Sequence, residues 1–97
     1  MTKKFMNDIP DNLKEQINVA AYYLSQKNHP YDTLCWMLAE RQLYIQNNFR
    51  QAKIENIRKK AADIYFSMPS YDVLCWLIAE LDALLRNKSF KNKPYFF

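Results

Sequence analysis

The sequence predicts an all-α fold. The expected form is a compact four-helix bundle built from two tandem helical hairpins related by internal duplication, with a basic aromatic C-terminal tail. Three observations carry that expectation. A ten-residue phrase is written twice, as YDTLCWMLAE from Tyr31 to Glu40 and as YDVLCWLIAE from Tyr71 to Glu80. Apolar residues recur at helical spacing ahead of each copy. A proline precedes each copy, at Pro30 and Pro69, and pushes the residue before it out of helical geometry.

The duplication extends beyond the phrase. A shift of 40 residues aligns the halves without a gap, and a third of the positions between 15 and 47 are identical to their counterparts. Among them are Ile17/Ile57, Ala21/Ala61, Leu34/Leu74, Cys35/Cys75 and Trp36/Trp76, which marks an internal repeat. A hairpin of about 35 residues is too small to bury its own apolar face. Two copies packed about a pseudo-two-fold axis would bury both. The chain is therefore read as a single domain, 1–97, with repeat one at about 11–48, repeat two at about 49–87 and a tail at 88–97.

The first helix is expected at about 11–27, where Ile17, Ala21 and Leu24 share a face. The second is expected at about 31–47, with Asp32 in its first turn favouring the positive end of the helix dipole. The third is placed at about 49–67 on the spacing of Ile54, Ile57, Ala61 and Ile64. The fourth is placed at about 71–87, with Ser70 as its N-cap and Asp72 in its first turn. The second and fourth helices are apolar nearly all round and belong at the centre. Between the second and third helices Asn47-Asn48 is the turn candidate, with Asn47 as the left-handed cap, because asparagine tolerates that conformation. One continuous helix through this stretch is the rival, since no proline or glycine lies between Tyr31 and Met68.

Composition removes several function classes. The chain has no glycine, so the glycine-built phosphate loops of nucleotide-binding proteins are excluded. The start, MTKKFMNDIPDN, has no apolar stretch after its lysines, and no run reaches the ~18 residues of a membrane span. The expectation is a cytoplasmic protein without a transmembrane segment, its two cysteines reduced. The net charge of +4 sits at one end: after Asp82 come Arg86, Lys88, Lys91 and Lys93 with no acidic side chain.

The pattern Ala21-Tyr22-x-Leu24 followed by Trp36-Met37-Leu38-Ala39-Glu40 resembles a short bacterial helical-hairpin domain of unknown function. Members of that family read approximately A-Y-x-L-W, a turn, then H-W-x-x-A-E. Repeat two matches at Ala61, Ile64, Trp76, Ala79 and Glu80, while the family's histidine is replaced by Cys35 and Cys75. The resemblance implies a helical hairpin and no activity.

No catalytic, cofactor-binding or metal-ligating residue is expected. His29 and Cys35 could in principle form a nucleophilic dyad. However, Cys35 lies between Leu34 and Trp36, and the counterpart of His29 in repeat two is Pro69. Two cysteines 40 apart with one histidine lack the paired spacing of a zinc site. What remains is binding. The tail interleaves Phe90, Tyr95, Phe96 and Phe97 with Lys91 and Lys93, and the third helix carries Arg58, Lys59 and Lys60. The leading reading is a non-enzymatic protein-interaction module, a small adaptor, inhibitor or immunity-type protein that occludes a protein partner. The alternative is nucleic-acid binding through the tail and third helix, and a third reading docks the tail on an anionic membrane. A homodimer is compatible with all three.

Overall fold

The computed structural model describes residues 11–86. They form α1 (Asp11–Gln26), α2 (Tyr31–Gln46), α3 (Ile54–Ser67) and α4 (Tyr71–Arg86), an all-α four-helix bundle with no strand among the described residues. The core is made by Ile17 of α1, Leu34, Cys35 and Leu38 of α2, Ile57 of α3, and Leu74, Cys75 and Ile78 of α4. The doubled phrase is thus the centre of the molecule. Its LCW-containing stretches alternate buried and half-buried in the same order in both copies.

The pairing of the helices is exchanged between the repeats. α1 packs chiefly on α4, α3 packs chiefly on α2, and α2 and α4 meet at the centre. Each repeat is therefore joined by its own tight turn while its first helix is covered by the other repeat's second helix. Sequence pattern does not distinguish this arrangement from two closed hairpins, because α1 and α3 present the same kind of apolar face.

Two reciprocal hydrogen bonds express the pseudo-symmetry. The Tyr31 hydroxyl donates to the Pro69 carbonyl, and the Tyr71 hydroxyl donates to the His29 carbonyl at 2.6 Å. Pro69 and His29 are counterparts under the 40-residue shift, so the repeated tyrosine does one job twice. It satisfies a turn carbonyl of the opposite repeat and ties the two turns together at one end of the bundle. Burial raises both hydroxyls above their ordinary range, with Cys35 and Tyr65 adding at Tyr31 and Cys75 adding at Tyr71.

Helix ends account for the remaining boundaries. Ser70 caps α4 as expected, its Oγ accepting from the Val73 amide at 3.2 Å. The chain breaks after α2, which overturns the continuous-helix rival. Asn47 is the C-cap of α2 but is not left-handed, with φ of −99°; the left-handed residues are Asn48 and Phe49, with φ of 56° and 64°. The Phe49 amide closes on the Tyr44 carbonyl at 2.8 Å, and the two rings meet edge to face with centroids 5.8 Å apart. This is a Schellman closure with its customary apolar clasp. It consumes the residues after 47, so α3 starts at Ile54 rather than near 49.

Candidate functional site

Both cysteines are buried and free, and burial pushes both thiols above their ordinary value, with Asp32 adding at Cys35 and Asp72 at Cys75. The His29 carbonyl is occupied by Tyr71. Among the described residues no group of three or more His, Cys, Asp or Glu side chains is placed to hold a metal ion. No helix among them is long and apolar enough to cross a membrane.

Of the binding residues expected from sequence, Arg58 and Lys59 are exposed on α3 and Lys60 is half-buried beside them. Phe90, Lys91, Lys93, Tyr95, Phe96 and Phe97 lie outside the described residues. Arg58 stands at the counterpart of Asn18, which accepts a hydrogen bond from the Trp76 indole at 2.8 Å. An arginine has no acceptor to offer, so the equivalent bond to Trp36 is lost and the guanidinium faces solvent.

A second surface stands out at the end of the bundle where the two turns meet. α3 finishes with Tyr65 and Phe66, whose rings lie edge to face at 5.5 Å, and Tyr65 meets Tyr31 in the same way at 5.5 Å. Phe66 is 78% exposed and the next apolar residue, Met68, is 80% exposed. Met68 takes the left-handed conformation that ends α3, with φ of 57°. Its counterpart Asn28 takes the same conformation at the end of α1, with φ of 55°. Both amides make the same closing bond, Met68 to the Tyr65 carbonyl at 3.1 Å and Asn28 to the Ser25 carbonyl at 3.3 Å.

One backbone therefore carries two surfaces. Repeat one ends α1 with Ser25, Gln26 and Asn28, residues suited to solvent and to the left-handed cap. Repeat two places Tyr65, Phe66 and Met68 at the same positions. An ordinary side chain in this conformation costs about 1–2 kcal/mol, and the exposed Met68 does not recover that cost by burial. Helical periodicity does not reveal these residues, because exposed aromatics at a helix end resemble core in a pattern. Aligning the halves position by position does reveal them, since Asn28 against Met68 sets a good cap opposite a poor one.

The charged residues at this end are Asp63 on α3, the first-turn residues Asp32 and Asp72, and the exposed Lys27 in the turn after α1. The corner is an apolar knob on the repeat whose helix also carries the basic Arg58-Lys59-Lys60 stretch. No protein-family model, curated protein or solved structure matches the chain.

Proposed function

We propose that the protein is a non-enzymatic protein-interaction module, a small adaptor, inhibitor or immunity-type protein that works by occluding a protein partner. The observation that supports this most is the replacement of Ser25, Gln26 and Asn28 by Tyr65, Phe66 and Met68 on an equivalent backbone. Exposed aromatic and methionine side chains on a convex corner suit insertion into an apolar pocket of a partner, where such anchors dominate binding energy. Methionine adapts its shape to a pocket and aromatic rings lose little side-chain entropy on docking. The matching partner surface is an apolar cleft.

The test exploits the internal control. A photo-crosslinker placed at position 66 should capture one defined protein in native host cells, and the same group at position 26 should not. The double variant Phe66→Gln, Met68→Asn makes repeat two resemble repeat one. It should keep or raise thermal stability and weaken binding of the captured partner at least about tenfold, a loss of ~1.4 kcal/mol. Equal capture at positions 26 and 66, or full binding by the double variant, removes the corner from the site.

The nucleic-acid reading retains one supporting observation: Arg58 and Lys59 are exposed and hold no ion pair among the described residues. It predicts oligonucleotide binding that falls steeply with salt and is lost in Arg58→Gln, Lys59→Gln.

A further inference from the structure

We propose that Phe90 of the C-terminal tail seats its ring, within the same chain, in an apolar pocket at the end of the bundle opposite the aromatic corner. The pocket measures about 240 Å³ and is lined by Tyr44 of α2, Gln51 and Ala52 just ahead of α3, Ile57 of α3 and Leu85 in the last turn of α4, together with Glu40 and Arg41. A cavity of about 150 Å³ already accepts a benzene ring.

The pocket has a cause in the sequence. In repeat one, Leu13 lies one turn ahead of Ile17, on the same face of α1, and packs against the core. Its counterpart in repeat two is Lys53, one turn ahead of Ile57, and Lys53 is exposed. Repeat two therefore has no apolar side chain at that position; the smaller Ala52 packs against the core instead and lines the pocket together with the buried Ile57. The space left beside Ala52 is large enough to take an apolar group from elsewhere in the chain.

The tail is placed to supply it. α4 ends at Arg86, the residue after the pocket wall Leu85. Phe90 lies four residues further, within about 13 Å of extended chain. Phe96 and Phe97 would close longer loops at greater entropic cost, and Tyr95 would have to bury a hydroxyl. The charges agree as well. Arg41 is held by Asp82 at 2.7 Å, which leaves Glu40 without an ion pair among the described residues. Lys88 and Lys91 flank Phe90 and would stand beside that carboxylate.

The experiment is methyl-resolved NMR of the full chain with thermal melts of matched variants. The Ala52 and Ile57 methyls should show ring-current shifts and cross-peaks to the Phe90 ring. Phe90→Ala should abolish both and lower the melting temperature by about 4–8 °C, independent of protein concentration, whereas Phe96→Ala should leave the two methyls unmoved. In an Ala52→Leu background the larger side chain fills the pocket from its own wall, so Phe90→Ala should cost less than half as much. Absence of cross-peaks from Phe90 overturns the proposal, as does an equal loss in both backgrounds. A concentration-dependent shift would assign the ring to a second copy instead.

Discussion

The ends of α1 and α3 share one backbone and carry opposite surfaces, and the starts of the same two helices repeat the lesson in reverse. At the turn end, repeat one places Ser25, Gln26 and Asn28 where repeat two places Tyr65, Phe66 and Met68, although α1 also exposes Tyr22 and Tyr23 one turn earlier. At the far end, repeat one supplies Leu13 to the core and repeat two withholds it with Lys53. Between these ends the halves agree almost residue for residue in burial. Duplication makes the molecule its own control. Where the halves agree the fold requires the residue, and where they diverge at no benefit to packing the divergence calls for a different explanation.

The largest expected effect tests the agreement. Leu34 and Leu74 are both fully buried at equivalent places. Leu34→Ala and Leu74→Ala should each cost about 2–5 kcal/mol, from lost transfer energy plus the cavity left behind. The two losses, read from urea midpoints, should match within the error of the extrapolation. A large inequality would mean that the halves do not share one core evenly.

Next in size are the cysteines. Cys35→Ser and Cys75→Ser should each cost about 1–3 kcal/mol by leaving a hydroxyl in an apolar site. In the native protein both thiols should resist alkylation that is rapid after denaturation. Because burial raises both above their ordinary 9.0, the stabilising preference for the neutral thiol is complete below that value. It is lost as pH climbs from the unfolded value through the higher folded one. Stability should therefore fall above about pH 9, less steeply in the double serine variant. Fast labelling of native Cys35 alone would contradict its burial.

Much of this fold was legible in the sequence, for physical reasons that also explain the gaps. Pro30 and Pro69 mark helix starts because proline restricts its neighbour, and the residues of the central helices are apolar on more than one face. The start of α3 at Ile54 was not legible. Phe49 is an improbable left-handed residue, and only its clasp with Tyr44 makes the turn close there. The exchanged pairing was equally hidden, since Ile17 and Ile57 fit either neighbour. For the candidate site, Arg58 and Lys59 were found at the surface, whereas Phe66 and Met68 were missed. Hydrophobicity alone places them inside, and only the comparison with Gln26 and Asn28 places them outside.

The corner offers a smaller effect that sharpens the contrast. Met68→Asn should raise stability by about 1 kcal/mol, because asparagine tolerates the left-handed cap better than methionine. Asn28→Met should lower it by a similar amount. The two changes are mirror images on one backbone, so their sum should be near zero in the double variant. If Met68→Asn destabilises instead, methionine has a packing role in the fold and the argument for a binding surface weakens.

The smallest effect lies at Glu80, half-buried in the second copy of the phrase. Burial raises its carboxyl above the ordinary 4.5 because the charged form loses hydration. For a group raised in the folded state, the favourable contribution is complete below the unfolded value and disappears as pH rises through the folded one. At neutral pH the buried carboxylate is therefore a cost, and near pH 3 the protonated acid is not. Glu80→Gln keeps the shape and removes the charge. It should raise the melting temperature modestly at pH 7 and change it little at pH 3, so the gain should open as pH rises above the ordinary 4.5. A gain of equal size at both pH values would reflect packing rather than charge. A loss at pH 7 would mean that a cation pairs with Glu80 in solution, and outside the described residues the cations nearest to Glu80 along the chain are those of the tail.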